Sequence, residues 1–253
     1  MTSDSYLRTI LAREAVDTGL TSPVRQVGNI LMPIISNWAG RQLVDVKPSG
    51  SFAKGTANDS GTDIGLFISL HEGTTNTLKE IYTSLARTME EAGYKARLQN
   101  VSINVKVGAY DVDLVPAKRQ NSYTTDHSLY RWRADTWTKT NIDTHIAHVQ
   151  RGGRIDETRI LKLWRNQKGL DFPSFYLELA TIEALRGHYF PSLDAAVWAA
   201  LAWLRDRFAS ARFVDPANGS NVISDDLSQQ ERERISGAAR RAREATNWNQ
   251  IVT

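Results

Sequence analysis

Two kinds of apolar pattern follow one another in the first half of the chain. Apolar residues recur every three or four positions over 3–16 and 23–38, which predicts two amphipathic helices. Ser22 and Pro23 supply a favourable start for the second helix. Beyond them the pattern favours short strands around one further helix. The predicted strands lie near 44–46, over Ile64–Leu70, over 96–107 and over 109–116, and the predicted helix covers 75–93.

The second half of the chain has helical spacing throughout. Glycines and a proline separate its apolar stretches in the way that helix ends do. The predicted helices cover 142–150, 157–168, 175–186, 193–210 and 228–252. The polar stretch 121–128 before them is typical of a surface loop. We therefore predict a boundary between residues 120 and 140, with a mixed α/β part over 1–135 and a helical part over 136–253.

Composition limits the setting in which the protein works. The chain has 253 residues, of which 41% are apolar and 23% charged, and a formal net charge of +3. No apolar run reaches the roughly 18 residues of a membrane span, and the charged N-terminus differs from a signal peptide. We therefore expect a cytoplasmic protein with no membrane partner. Because the chain lacks cysteine, Asp, Glu and His are the plausible metal ligands.

Two segments carry residues that suit phosphate and metal chemistry. Gly50 and Ser51 follow the first predicted strand, where a Gly-Ser turn presents backbone N–H groups and a hydroxyl to an anion. Asp63 precedes the second strand, and a later strand carries Asp111 and Asp113. Carboxylates that converge beside a phosphate-binding turn form the oxygen-rich environment that Mg²⁺ prefers. Two such ions roughly 4 Å apart would activate a hydroxyl and neutralise a departing pyrophosphate.

The order of these residues resembles the DNA polymerase β-like nucleotidyltransferases, whose pattern is Gly-Ser, Gly-Thr, Asp-x-Asp and a distant third Asp. The matching positions are Gly50, Ser51, Gly55, Thr56, Asp63 and Asp113. Three later segments resemble the template-independent branch of oligoadenylate synthetases, bacterial cyclic GMP-AMP synthase-like enzymes (CD-NTases) and archaeal-type CCA-adding enzymes. These segments are DLVPA at 113–117, RILKLWRNQKGLDFPSFYLE at 159–178 and VDPANGSN at 214–221.

The resemblance implies an α+β fold, with a nucleotidyltransferase palm over 1–135 and a helical lobe over 136–253 that closes a nucleotide cleft. In the palm, Gly50 and Ser51 would bind the β- and γ-phosphates of a nucleoside triphosphate. Asp63 and Asp113 would coordinate two divalent ions, Mg²⁺ or Mn²⁺, and Asp113 would also activate the acceptor hydroxyl. Lys54 faces either a phosphate or solvent.

In the helical lobe, the resemblance implies that Lys162 and Ser174 contact the triphosphate and that Phe175 stacks on the base. Stacking tolerates every base, so base preference does not follow from Phe175. Each residue also has a structural interpretation. Lys162 lies among basic residues, which is typical of a solvated helix face. Ser174 before Phe175 fits a helix N-cap followed by a core aromatic.

One position departs from the family pattern, because the Asp-x-Asp pair reads Asp63-Ile64-Gly65. In a two-metal mechanism the second carboxylate bridges both ions, so its loss weakens catalysis much more than nucleotide binding. We therefore expect a chain that binds triphosphate but transfers nucleotide poorly, through either a natural or an introduced substitution. Asp111 is a weak substitute, because it lies one pleat beyond Asp113 on the same strand face.

Other candidate residues favour structural roles. His145 and His148 lack a third metal ligand in the sequence, and Trp248 resembles a tryptophan that packs the C-terminal helix against the body of these enzymes. The last predicted helix mixes arginines with glutamates, which favours salt bridges on a solvated face. RNA contact by those arginines stays an open alternative, and it would be sensitive to salt.

Three functions fit these observations. The first is synthesis of a cyclic or short linear oligonucleotide signal from nucleoside triphosphates, as in CBASS-type antiviral defence. The second is nucleotide addition to RNA 3′ ends, although the chain leaves no room for the tRNA-gripping domains of CCA-adding enzymes. The third is a nucleotide- or RNA-binding protein without catalysis, an interpretation that Gly65 favours.

Overall fold

A computed structural model describes residues 2–17, 19, 21–61 and 63–253, which form an α+β fold. The helices are α1 (Ser3–Arg13), α2 (Pro23–Ala39), α3 (Gly50–Lys54), α4 (Leu78–Glu91), α5 (Ile142–Gly152), α6 (Ile155–Gln167), α7 (Ser174–Ala184), α8 (Leu193–Asp206) and α9 (Gln229–Arg243). The strands are β1 (Leu43–Ser49), β2 (Ile64–Leu70), β3 (Arg97–Leu98), β4 (Ile103–Val107), β5 (Tyr110–Arg119), β6 (His127–Arg131), β7 (Thr136–Thr140), β8 (Val214–Asp215) and β9 (Asn218–Val222).

The elements form two compact units, and the chain passes between them several times. The sheet unit consists of Val16–Lys54 and Thr62–His145. The helical unit consists of Met1–Ala15, Gly55–Gly61 and Ile146–Thr253. The division of the sequence into domains 1–135 and 136–253 stays a prediction, which a test on fragments addresses below.

One sheet organises the sheet unit. Its described strands run in the order β1–β2–β5–β4–β3, and the hairpin β6–β7 joins through the pairing of β6 with β5. Strands β2 and β5 are parallel, whereas the other pairs are antiparallel. Because side chains alternate along a strand, one face of β2 presents Ile64, Leu66 and Ile68, which join a core with α2 and α4. The other face carries the polar residues described below.

Local signals explain why the predicted elements of the sheet unit form. The Ser22 hydroxyl accepts a hydrogen bond from the backbone N–H of Arg25 and so begins α2. Thr77 and Glu80 form a reciprocal capping box at the start of α4. Strand β2 has the predicted bounds Ile64–Leu70, and all its residues are buried, which explains its continuous apolar sequence.

The core of the helical unit joins α1 to the helices of the second half of the chain. Leu7, Ile10 and Leu11 of α1 belong to the same buried cluster as Trp164 and Tyr176. The Tyr6 hydroxyl donates to the Val252 carbonyl at 3.0 Å. The first residues of the chain therefore fold onto its last ones.

Three predictions about elements were wrong in detail. The predicted loop 121–128 is a loop only over 121–126, because strand β6 begins at His127 and forms with β7 a hairpin that was not predicted. The predicted strand 96–107 is two short strands joined by a turn, in which the Gln99 N–H donates to the Ser102 carbonyl. The last predicted helix ends at Arg243, well before residue 252. Among the described residues, no helix is long and apolar enough to cross a membrane.

Candidate functional site

A row of paired residues crosses the polar face of the sheet. Ser49 of β1 pairs with Gly65 of β2, and Gly65 pairs with Asp113 of β5. Asp113 in turn pairs with Asn104 of β4, and Asn104 with Arg97 of β3. Residues paired across neighbouring strands share one face. The sheet therefore brings the predicted residues Gly65 and Asp113 side by side, together with Ser49 and Asn104, which the sequence analysis did not identify.

The Asp113 carboxylate is held in place by its neighbours. Asn104 Nδ2 donates a hydrogen bond to Asp113 Oδ1 at 2.9 Å. Burial raises the pKa of the Asp113 carboxyl above its ordinary value, and the hydrogen bond from Asn104 and the charge of Arg97 act against that rise. The negative charge of Asp111 adds to it. A partly buried carboxylate of raised pKa is a better proton acceptor than an exposed one.

Gly65 has almost no room for a side chain. A Cβ atom built at Gly65 would lie 2.7 Å from Ser49 Oγ, and 3.1 and 3.2 Å from the carbonyl carbon and oxygen of Ser49. These separations are shorter than ordinary van der Waals contact. The Ser49 side chain therefore occupies the space in which a carboxylate at position 65 would begin.

Only part of the predicted metal donor set comes together. Asp63 is exposed and comes directly before β2, whose first residue Ile64 pairs with Val112. The backbone therefore places Asp63 near the level of Asp111, two residues before Asp113. Among the described residues, no group of three His, Asp or Glu side chains converges on a metal position. Two carboxylates and the oxygens of a triphosphate suit one Mg²⁺, but this donor set does not fit two bridged ions.

Gly50 and Ser51 begin the short helix α3 directly after β1. Gly50 has a φ of 64°, a left-handed conformation that favours glycine. Gly50 is exposed and Ser51 is half-buried, whereas Lys54 at the end of α3 is only 7% exposed. The sequence allowed Lys54 to face either solvent or a phosphate. Its burial excludes the first position, because this residue does not face bulk solvent. Phosphate binding by Gly50, Ser51 and Lys54 stays a prediction.

In the helical unit, Lys162 lies in a buried ion pair. Its Nζ atom lies 2.6 Å from Glu178 Oε1 and donates to the Thr56 hydroxyl at 2.8 Å. The Thr56 hydroxyl donates to the same Glu178 oxygen at 2.6 Å. Lys162 is 4% exposed. The interpretation of Lys162 as part of a solvated basic helix face is therefore wrong. The predicted contact of Lys162 with a triphosphate stays a prediction.

Ser174 and Phe175 begin α7. The N-cap of α7 is Pro173, so Ser174 is not the capping residue. The Ser174 hydroxyl instead accepts a hydrogen bond from Arg165 Nη1 at 3.1 Å. Phe175 packs partly against the core of the helical unit, which leaves part of its ring accessible. Both arrangements are compatible with the predicted triphosphate and base contacts, which stay predictions.

The segment 55–61 is bound to its unit by a residue that the sequence analysis passed over. Arg159 Nε donates to the Ala57 carbonyl and to Asn58 Oδ1, at 3.0 and 3.1 Å. Its Nη2 atom donates to the carbonyls of Leu11 and Glu14. A guanidinium that binds backbone carbonyls of two other chain segments leaves no sequence signal, because carbonyl groups are present at every position.

Comparison with known proteins identifies the fold. No protein-family model matches the sequence, and no curated protein matches it significantly. Solved structures match with high TM-scores. CdnC of E. coli MS115-1, solved with ATP, has a TM-score of 0.77 at 20% identity, over 96% of this chain and 91% of that one. The CD-NTase CdnG of Bradyrhizobium diazoefficiens, in complex with GTP, has 0.78 at 14% identity, over 96% and 91%.

A third structure, the cyclic dinucleotide synthase CdnE of Elizabethkingia meningoseptica, was solved with GTP and Apcpp. It has a TM-score of 0.74 at 11% identity and covers 99% of both chains. The predicted α+β fold is therefore confirmed: this chain has the polymerase β-like nucleotidyltransferase fold in the form that CD-NTases share.

Proposed function

We propose that this chain is a CD-NTase-like protein that binds a nucleoside triphosphate and transfers nucleotides only weakly. Gly65 carries the proposal, because it pairs with Asp113 at the position where the nucleotidyltransferase pattern has a second carboxylate. The remaining features of the pattern, Gly50, Ser51 and Asp63, are present. The residues that bind the triphosphate are thus retained, and a residue that the chemical step needs is replaced.

In this proposal Gly50 and Ser51 bind the terminal phosphates. Asp63 and Asp113 bind one Mg²⁺ or Mn²⁺ that arrives with the nucleotide, because Mg²⁺ is commonly held by one or two carboxylates together with substrate phosphates. When bound, this cation neutralises the charge of the phosphates. Phe175, at the start of α7, is the proposed stacking partner of the base, and Lys162 and Ser174 are proposed contacts of the triphosphate.

The chemical step of the fold is the attack of a ribose hydroxyl on the α-phosphorus. A bond forms between the hydroxyl oxygen and the α-phosphorus, the bond from that phosphorus to the bridging oxygen breaks, and pyrophosphate leaves. We propose that Asp113, beside the acceptor hydroxyl, helps to activate it by accepting its proton. Without a carboxylate at position 65 the attacking and leaving oxygens are poorly stabilised, so the step is slow.

The product class follows from the shared fold. CdnE of E. meningoseptica is a cyclic dinucleotide synthase, and this supports a cyclic or short linear oligonucleotide as the product of any residual activity. A role in antiviral signalling rests on the resemblance of the sequence to bacterial CD-NTases and is part of this proposal. A nucleotide-binding protein without catalysis is the second candidate function, and it too is favoured by Gly65.

Nucleotide binding and product formation test the proposal separately. We expect the native chain to bind ATP or GTP in a Mg²⁺-dependent manner in calorimetry. Ser51→Ala should weaken this binding about tenfold through the loss of one hydrogen bond to a charged group. Ser122→Ala, at an exposed serine of the same unit, is the control that should leave binding unchanged. Absence of triphosphate binding by the native chain would contradict the proposal.

Mass spectrometry of mixtures with all four nucleoside triphosphates, with and without tRNA, measures the chemical step. The native chain should yield little or no product with either Mg²⁺ or Mn²⁺. Rapid synthesis of cyclic oligonucleotides would show that Gly65 does not impair transfer. Extension of the tRNA would instead establish RNA 3′-end addition.

A further inference from the structure

Ser49 is a largely buried residue on the polar face of the sheet. Ser49 is 7% exposed, and its hydroxyl makes no hydrogen bond with another residue in the described part of the chain. The Ser49 oxygen does not belong to the fully buried polar atoms that lack a partner, so part of its surface stays accessible from outside the chain. A hydroxyl in this position is therefore ready to bind a group that the protein does not itself supply.

The location of this hydroxyl indicates what that group is. Ser49 Oγ lies over Gly65, 2.7 Å from the point where a Cβ at Gly65 would be. Gly65 is flanked on its other side by Asp113, and Ser49, Gly65 and Asp113 share the polar face of the sheet. The oxygen of Ser49 thus lies next to the position from which a bridging carboxylate would reach the metal ions.

We infer that Ser49 and Gly65 are a matched pair, in which the Ser49 hydroxyl serves as a neutral oxygen ligand to a single divalent cation beside Asp113. The inference rests on the proposed function, since the cation arrives with the triphosphate. A serine hydroxyl is an established type of Mg²⁺ ligand beside phosphates. Replacing a carboxylate by a hydroxyl also removes one negative charge, so the site balances the charge of one cation and not of two.

Restoring the carboxylate of the family pattern at position 65 requires a change at Ser49 as well. Gly65→Asp alone puts a Cβ against the side chain and the backbone of Ser49, so the variant must displace Ser49 before its carboxylate can reach a metal. Ser49→Ala removes the hydroxyl that is in the way, and the two changes together should complete the donor set. The double variant should therefore bind more cations than either single variant.

Cation counting by Mn²⁺ paramagnetic resonance tests the inference directly. The probe is a nucleoside triphosphate with a methylene bridge between its α- and β-phosphates, which blocks transfer. We expect about one Mn²⁺ per native chain and about two for Ser49→Ala/Gly65→Asp. Ser49→Ala alone should weaken Mn²⁺ binding about tenfold. Ser69→Ala is the matched control, since Ser69 is a buried serine on the same face of β2 and should leave Mn²⁺ binding unchanged.

A sulfur substitution gives an independent test. The chain has no cysteine, so Ser49→Cys introduces its only thiol. Thiolate ligands favour soft cations over Mg²⁺. If Ser49 is a cation ligand, Ser49→Cys should lose Mg²⁺-supported nucleotide binding and regain it with Cd²⁺, whereas the native chain should prefer Mg²⁺.

The outcomes separate this inference from the proposed function. Equal Mn²⁺ affinity of the native chain and Ser49→Ala would overturn the role of Ser49, even though nucleotide binding remained. Two Mn²⁺ ions bound per native chain would also overturn it. A native chain that binds no triphosphate in calorimetry refutes the proposed function itself, and the inference with it.

Discussion

His127 is a buried histidine whose ring is bonded at both nitrogens. Its Nε2 atom lies 2.8 Å from the Ser69 hydroxyl, and its Nδ1 atom lies 2.8 Å from the Thr125 carbonyl. A carbonyl only accepts, so Nδ1 carries the proton and a neutral ring accepts at Nε2 from Ser69. The neutral imidazole therefore satisfies both contacts, and a protonated ring would reverse the one to Ser69, whose hydroxyl oxygen would then accept from Nε2.

The surroundings of His127 lower its pKa from the ordinary value of 6.5. Burial is the main cause, the hydrogen bond to the Thr125 carbonyl acts against it, and the positive charges of Arg119 and Lys47 lower the pKa further. Asp143 raises it. Since the unfolded chain binds this proton more readily than the folded one, the free energy of unfolding must fall as the pH drops below 6.5.

Urea unfolding at about pH 7.5 and about pH 5.5 measures this effect. We expect the native chain to lose stability at the lower pH and His127→Gln to lose less. His188→Gln, at an exposed histidine, should keep the pH dependence of the native chain. A pH dependence that is the same in all three proteins would contradict the assignment to His127.

At the level of single residues, the sequence predicts charged groups better than it predicts their neighbours. Asp113 was identifiable because it lies in an apolar strand and matches the distant third Asp of the family pattern, and both features can be read from the sequence. Ser49 and Asn104 were not, since their roles arise from the register of β1 and β4 against other strands. Lys162 was identified, but its burial depends on Glu178, which belongs to another helix.

At the level of elements, the Lys162–Glu178 pair joins α6 to α7 inside the helical unit. Removing one partner of a buried ion pair leaves a charge without compensation, which destabilises proteins by about 3–5 kcal/mol. We expect this cost for Glu178→Gln in urea unfolding. The double variant Lys162→Met/Glu178→Leu should recover much of the loss, because it buries no charge.

The matched control lies on the same helix. Glu183 of α7 pairs with Arg186 at the surface, and exposed pairs contribute less than about 1 kcal/mol. Glu183→Gln should therefore change the free energy of unfolding little. Equal effects of the two substitutions would mean that the Lys162–Glu178 pair is not buried in solution.

The sequence predicted elements whose apolar residues repeat regularly or whose residues are all buried. It did not predict elements in which exposed aromatic residues alternate irregularly with polar ones. Strand β2 is buried along its whole length and was predicted with the observed bounds. The hairpin β6–β7 carries exposed Trp132 and Trp137 among polar residues, so it lacks the alternation that identifies a half-buried strand. The two strands pair through backbone hydrogen bonds, and the order of side chains in the sequence does not predict these bonds.

At the level of the whole molecule, the alternating segments of the two units determine which fragments can fold. A cut between residues 135 and 136 separates α1 from the helices whose core it shares. Leu7, Ile10 and Leu11 each contribute on the order of 2–5 kcal/mol when buried, and whole domains are stable by only about 5–15 kcal/mol. The helical unit should not survive the loss of α1.

Circular dichroism and urea unfolding of fragments test this expectation. Fragment 136–253 should lack a cooperative transition, whereas fragment 16–145, which keeps all the strands of the sheet and its core, should unfold cooperatively. If fragment 136–253 folds by itself, the division at residue 135 describes an independent domain, and α1 is dispensable.

The packing of helices from the second half of the chain against α1 also has a consequence for synthesis of the protein. Helix α1 leaves the ribosome before its partners α6 and α8, which follow more than a hundred residues later. At about 5–20 residues per second, α1 waits on the order of 10 s for its core. Throughout that interval Leu7, Ile10 and Leu11 are available to chaperones, and they can be buried only after α6 and α8 have been synthesised.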